Sequence, residues 1–441
     1  MLKKYLKFKY IFLYSYFFIL SYLFSYEYGL YRDRLFAIHG YILLYSSFLL
    51  FITYRLLHKS VKIEVSTVKI RPFGIALYLI INLLTIIFAL FSSDQSTKSA
   101  FIMAGSQIVM ILTFYNILKI YNFSKREYVV HVCNLFIIIS VISAIFAYYV
   151  YTVGSISLGP LSIQQTYRTL YRLTGWYGSP NRTASVFCIA SICIIYILSN
   201  RMLFNLNNKS KYILFAILIL NILSLLLTGS RGSMIAFIFG LVTYILMKRT
   251  AGLSLARYSM IIISVVLLII AVFSSLSLLG IDRYLLDEEI IRYQTIDEQL
   301  YGRGRVDKWI TAMEMYKNAS SESLLFGHGI GTFIEEAGTS THNGYLSFLI
   351  DRGLIILILL IGFIGYIFKI AFQYKDDLSI NAFATAIFVQ LLIKNFFNDT
   401  IPTVGFAGIA FLMSILLIVQ KDEQSTKENL QINSTRSLFS G

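Results

Sequence analysis

Apolar residues in this chain run in long blocks separated by short polar stretches; they do not alternate with polar ones. A hydrocarbon core about 30 Å thick is crossed by about 20 helical residues rising 1.5 Å each. About twelve blocks approach that length: 10–30, 36–54, 73–92, 99–118, 129–152, 183–199, 212–228, 233–247, 259–280, 353–371, 380–396 and 401–420. Lipid offers no hydrogen bonds to a backbone, so single runs of this kind predict helices. The expected fold is an all-α polytopic membrane protein of about twelve transmembrane helices. Residues 1–420 make one integral membrane domain and 421–441 a polar cytoplasmic tail. The first block follows Lys3, Lys4, Lys7 and Lys9, but it is long and lacks an A-x-A cleavage site, so it reads as an uncleaved span.

Composition excludes the soluble alternatives. The chain is 57% hydrophobic and 14% charged, against about 25% charged for an ordinary soluble domain. Its +15 net charge would suggest nucleic acid in a soluble protein; here it follows the membrane instead. With the N-terminus inside, 23 of the 38 lysines and arginines fall in cytoplasmic connections or the tail, which predicts an N-in, C-in topology. Cys133, Cys188 and Cys193 lie in apolar runs and are odd in number, so they read as small buried hydrophobes.

Ten of the remaining basic residues sit in two long outer loops, about 154–182 and about 281–352, the second between spans 9 and 10. Long polar connections between spans are where function concentrates. No carboxylate lies at the centre of an apolar run, which argues against a proton-coupled relay. Asp33 stands alone between two arginines, and Asp287-Glu288-Glu289 has no histidine nearby, so no metal site is expected.

Guanidinium suits phosphate, being planar, permanently charged and able to form paired hydrogen bonds. In the first loop Tyr167, Arg168, Tyr171 and Arg172 repeat an aromatic-basic pair at i, i+4, which would put both arginines on one helix face. Gly175-Trp176-Tyr177-Gly178-Ser179-Pro180-Asn181 follows as a turn whose rings either stack on sugars or belong to the interfacial aromatic belt. Thr228-Gly229-Ser230-Arg231-Gly232-Ser233 is so short that its flanking helices form a hairpin, with Arg231 at a helix N-terminus. Backbone N–H groups, the helix dipole and a guanidinium converge there on an anion, unless Arg231 merely snorkels to the surface. In the second loop Arg303 and Arg305 precede Val306, Trp309, Ile310 and Met313 at helical spacing, a helix expected to lie on the membrane plane with its apolar face on the bundle. Gly327-His328-Gly329-Ile330-Gly331 and Thr341-His342-Asn343-Gly344-Tyr345 hold the two histidines of the outer loops.

Taken in order, Gly175 with Pro180-Asn181, Ser230-Arg231-Gly232, Arg305-x-x-x-Trp309, Gly327-x-Gly329-x-Gly331 and His342-Asn343 with Gly353-Leu354 resemble the O-antigen ligase and O-antigen polymerase superfamily of bacterial envelope glycan enzymes, mainly over residues 172–365. The resemblance implies a C-type glycosyltransferase architecture with a polyprenyl-diphosphate-linked oligosaccharide donor, a glycan acceptor and no metal or other cofactor. In that reading Arg231, Arg305 and Arg172 hold the diphosphate, and His342 takes the acceptor proton. Asn343, Asn181, Trp176 and Tyr177 contact sugar. The expected location is the bacterial cytoplasmic membrane with the site facing outward, among membrane lipid and without nucleic acid; a chain-length regulator is a further candidate partner. A polymerase joins lipid-linked glycans to one another, whereas a ligase moves the glycan to a lipid A core acceptor. Polymerase is favoured because nothing marks a core acceptor site. A lipid-linked oligosaccharide flippase has similar length and span count, but it needs no long outer loop and would show Gly- or Pro-broken spans around midplane polar groups.

Overall fold

The computed structural model describes residues 68–91, 94–121, 123–158, 161–164, 172–177, 179–201, 206–249, 305–337, 341–373, 378–397 and 406–421, with short pieces at 14–16, 19–20, 42, 44–50, 52–53 and 203–204. Eight helices among these residues are long and apolar enough to cross a membrane. They are α1 (Pro72–Ala89), α2 (Asp94–Tyr121, apolar from Ala100), α3 (Lys125–Val153), α4 (Pro180–Ser199), α5 (Asn208–Leu227), α6 (Arg231–Arg249), α10 (Gly344–Gln373) and α11 (Leu378–Asn395). A shorter apolar helix, α12 (Phe406–Val419), follows, and α7 (Arg305–Lys317), α8 (Ser321–Phe326) and α9 (Thr332–Ala337) precede α10. The chain is a multi-pass membrane protein. Eight of the expected spans match these long helices, and 401–420 matches α12. Block 259–280 lies outside the described residues, as do most of 10–30 and about half of 36–54.

Local chemistry sets the helix ends. Ser124 and Glu127 form a capping box at the start of α3, and Gly154 closes it in the left-handed conformation at φ 83°. Pro72 and Pro180 stand at the starts of α1 and α4, where their missing N–H costs nothing. Asn207 caps α5 by accepting from the Ser210 N–H.

The expectation of an all-α chain needs one correction. Beyond Gly154, Ser155–Leu158 (β1) and Leu161–Gln164 (β2) pair antiparallel, with Ser155 opposite Gln164 and Leu158 opposite Leu161. They form a small two-stranded hairpin and leave the helical character of the rest unchanged.

α11 and α12 form the centre of the bundle, since almost every residue of each is buried. Tyr196 stacks on Phe383 at 4.5 Å and Phe388 on Phe411 at 5.2 Å. α6 approaches α11 closely because Gly240 has no side chain: a Cβ there would lie 3.0 Å from the Ala386 carbonyl oxygen. α5 sits at the edge and buries only Asn221, Ser224 and Leu225. All three cysteines are buried and free, as the sequence suggests.

The polar contacts divide between two ends. At one, Lys125 reaches Asn381, Ser379 reaches Asn200 and Gln420 reaches the Phe123 carbonyl. At the other, the ends of α3, α5 and α11 meet the starts of α4, α6 and α10. The described parts of both long loops converge on this second end.

Candidate functional site

The α5–α6 hairpin is held on three sides. Thr228 ends α5, Gly229 turns the chain at φ 58°, and Arg231 opens α6. Arg172 Nε donates to the Thr228 carbonyl at 2.8 Å, and the Leu173 N–H donates to the Leu227 carbonyl at 2.9 Å. A Cβ on Gly229 would stand 3.2 Å from Arg172 Nε, so glycine here serves both the turn and the approach. Behind the turn, Ser230 Oγ lies 2.8 Å from Asn181 Oδ1 and 2.9 Å from Ser233 Oγ. A Cβ on Gly232 would meet Phe397 Cβ at 2.6 Å, pressing the start of α6 against the end of α11. Arg231 itself is exposed, so a guanidinium stands at the open end of a rigid turn beside free helix N–H groups, the arrangement an anion requires.

The second element is the turn before α10. Trp309, on α7, donates its indole N–H to the Thr341 carbonyl at 3.0 Å. The next residue, His342, is half-buried with φ 53°, the one non-glycine residue at positive φ among the described residues. Such a conformation persists only where the surroundings fix it. Those surroundings are the Thr341 hydroxyl, which lies 2.8 Å from Ser347 Oγ, and Asn343, whose Oδ1 accepts the N–H groups of Tyr345 and Leu346 and so caps α10. Tyr345 OH donates to the Leu392 carbonyl at 2.9 Å, and a Cβ on Gly344 would collide with the Asn395 side chain.

A third piece braces this turn. α10 contains a break at Gly353, with φ 79° and ψ 173°. The break meets Gly327, also extended at positive φ: the N–H groups of His328 and Gly329 donate to the carbonyls of Ile350 and Asp351 at 2.8 and 3.0 Å. A Cβ on Gly353 would lie 2.3 Å from the Leu325 carbonyl oxygen, so the two glycines allow backbone to touch backbone. Burial holds the His328 imidazole below its ordinary value, a shift that Glu336 partly opposes.

The expected residues are distributed as follows. Arg231, Arg172 and Asn181 meet at the hairpin; His342 and Asn343 share the α10 turn; Arg305 is the first residue of α7, whose Trp309 holds that turn. Three roles change. Asn181 was expected to contact sugar, but its carbonyl accepts from Lys394 Nζ at 2.6 Å and its side-chain oxygen faces Ser230. Asn343 spends its side-chain oxygen on the helix cap. Tyr177 is 2% exposed in the core, and Trp176 packs on Phe146 at 5.5 Å, so neither ring forms an open platform. Arg172 is not on a helix, and Tyr167, Arg168, Tyr171, Arg303 and Asp287–Glu289 lie outside the described residues. On α7 the buried position is Ala312, while Ile310 and Met313 are 52% and 40% exposed, so the face against the protein is turned from the expected one. Sequence reasoning missed Lys394, read only as a charge in an outer turn; it is a cation at the end of an apolar run.

Residues 214–361 match the family model described as O-antigen ligase. Over that third of the chain the sequence is similar to the O-antigen ligase family. The ligase-family segment contains the Arg231 hairpin, all of α7–α9, His342, and α10 through its break, and so bears out the resemblance. Arg172, the Trp176 turn, Asn181 and Lys394 lie outside it. No curated protein matches the chain.

Proposed function

We propose that this chain is a glycosyltransferase that polymerises polyprenyl-diphosphate-linked oligosaccharide repeat units at the outer face of a bacterial cytoplasmic membrane. One observation carries the reading: the exposed Arg231 of a fixed hairpin and the strained His342 turn are braced on the same helix end, that of α11, through Phe397 on one side and Leu392 and Asn395 on the other. An anion site and an imidazole so held form a two-substrate centre. The outward orientation rests on the crowding of lysine and arginine into connections at the opposite end.

In this mechanism the donor's diphosphate lies against Arg231 and the N–H groups of α6, with Arg305 and Arg172 adding positive charge. His342 takes the proton from an acceptor sugar hydroxyl as that oxygen bonds to the anomeric carbon. The bond from that carbon to the diphosphate oxygen breaks, and the charge departs on the polyprenyl diphosphate, stabilised by the guanidinium groups. Imidazole, with an unperturbed pKa of about 6.5, is mostly neutral and ready to accept at pH 7. Attack opposite the leaving group inverts the anomeric centre. The acceptor is a second lipid-linked glycan; in the ligase reading it is a lipid A core.

The test is turnover of purified protein. Supplied only with lipid-diphosphate-linked repeats, a polymerase elongates them, whereas a ligase waits for added lipid-core acceptor. His342→Ala and His342→Gly should both retain donor binding and lose about 10²- to 10⁴-fold in turnover. Glycine relieves the positive φ, so turnover recovered in His342→Gly alone would refute the base role and leave His342 a turn residue.

A further inference from the structure

Lys394, in the last turn of α11, is 2% exposed. Its ammonium donates to the Asn181 carbonyl at 2.6 Å, and among the described residues the ionisable groups acting on it are Cys188 and Arg182, neither of them a carboxylate. Burying an ammonium without a counter-charge is costly, and an apolar residue of equal volume would serve the fold better. Packing therefore gives no account of a lysine here.

Its surroundings do. Asn181, which Lys394 holds by its carbonyl, presents Oδ1 to Ser230 Oγ at 2.8 Å, and Ser230 immediately precedes Arg231. Cys188, beside the ammonium, lies with Sγ 3.4 Å from the Ser233 carbonyl oxygen in the first turn of α6. The buried cation thus reaches the hairpin by two short routes, and Arg182 adds charge of the same sign. Positive charge collected behind a turn that faces outward with a guanidinium is balanced by an anion arriving at that turn.

We infer that Lys394 is a positioning residue of the donor site: through Asn181 and Ser230 it fixes the Arg231 hairpin, and its buried positive charge favours the donor's diphosphate there. This rests on the proposed glycosyl transfer, yet the residue lies outside the segment that matches the ligase family. The role predicts weaker donor binding with chemistry largely intact when the charge is removed, because His342 stands on a different turn.

The experiment uses the full chain in nanodiscs of phosphatidylethanolamine and phosphatidylglycerol, with a short polyprenyl-diphosphate-linked oligosaccharide as donor. Lys394→Met keeps the length of the side chain without its charge. It should raise the donor KM about tenfold or more, the scale of a lost hydrogen bond to a charged group, with kcat changed far less. Ser230→Ala should do part of the same, and the double variant should be little worse than Lys394→Met, since both act through one path. Amide exchange at Ser233 and Met234 should quicken in both single variants. A donor KM unchanged in folded Lys394→Met, additive effects in the double variant, or unchanged hairpin exchange would overturn the inference. If Lys394→Met does not fold, hairpin exchange and donor KM in Ser230→Ala decide it, and wild-type values there overturn it. Absence of transfer by the wild type would instead sink the glycosyltransferase reading, while hairpin exchange would still decide whether Lys394 fixes the turn.

Discussion

Replacing Gly353 by alanine tests whether the break in α10 is a built junction. At φ 79° and ψ 173° the backbone occupies a region essentially reserved for glycine, and forcing another residue there costs about 1–3 kcal/mol. The added methyl would stand 2.3 Å from the Leu325 carbonyl oxygen and 2.5 Å from the Gly327 nitrogen. Both are main-chain atoms with no rotamer to change, so overpacking adds about 1–3 kcal/mol. The total, about 2–6 kcal/mol, is a large share of an ordinary folding free energy of about 5–15 kcal/mol. Relief comes most directly by parting α8 from α10, with loss of the His328 and Gly329 hydrogen bonds to Ile350 and Asp351. Thermal unfolding in detergent, followed by fluorescence, would report the change, because Trp309 on α7 is one of only two tryptophans in the chain. Gly365→Ala is the control: it lies on the same helix, and a Cβ there meets nothing within 4 Å. It should be neutral or stabilising by up to about 1 kcal/mol. If Gly353→Ala melts with Gly365→Ala, the junction is not the constraint its geometry describes.

Arg231→Lys should leave protein levels normal and fail to restore transfer, because an ammonium keeps the charge and loses the fork that spans two diphosphate oxygens; near-normal activity would favour a snorkelling arginine. Arg305→Ala should be comparably severe in the same turnover assay. Acidification should lower the melting temperature: burial depresses the His328 pKa in the folded state, so its contribution is complete above about pH 6.5 and is lost as pH falls through the lower folded value. His328→Asn should flatten that dependence between pH 7 and 5. Reporter fusions after Lys62, Lys209 and Lys375 should read cytoplasmic and those after Ser162 and Asn318 external, and a cytoplasmic signal at Asn318 would put His342 on the wrong face.

The spans were legible because apolar blocks of bilayer length have one structural outcome in lipid, and the tenth was even begun at Gly353, where α10 breaks. The β1–β2 hairpin carried its own signal, Ser-Ile-Ser-Leu and Leu-Ser-Ile-Gln flanking Gly159-Pro160, a turn dipeptide between alternating residues. That signal is four residues long on each side, too short to stand out beside blocks of bilayer length. The Arg231 hairpin and the His342 turn were legible from local chemistry. The work of Asn181 was not, because an amide oxygen serves whatever the fold brings to it, and Ser230 and Lys394 arrive from 49 and 213 positions away. Lys394 escaped for a related reason: a lysine at a span end looks the same in sequence whether its head reaches water or is buried.

The placement of α5 exposes one arm of the Arg231 hairpin to the bilayer. Its 20 residues span about 30 Å, the thickness of the hydrocarbon layer, so it has little length to spare. With three buried residues it is anchored weakly from the side, and a thicker or thinner membrane is met by tilt. Its far end runs straight into the hairpin that carries Arg231, while His342 rides on the rigid centre. Because Phe397, Arg172 and Asn181 tie the hairpin to the centre, such tilt is taken up along α5 and not at Arg231, so the spacing between the Arg231 hairpin and the His342 turn is insulated from the thickness of the membrane.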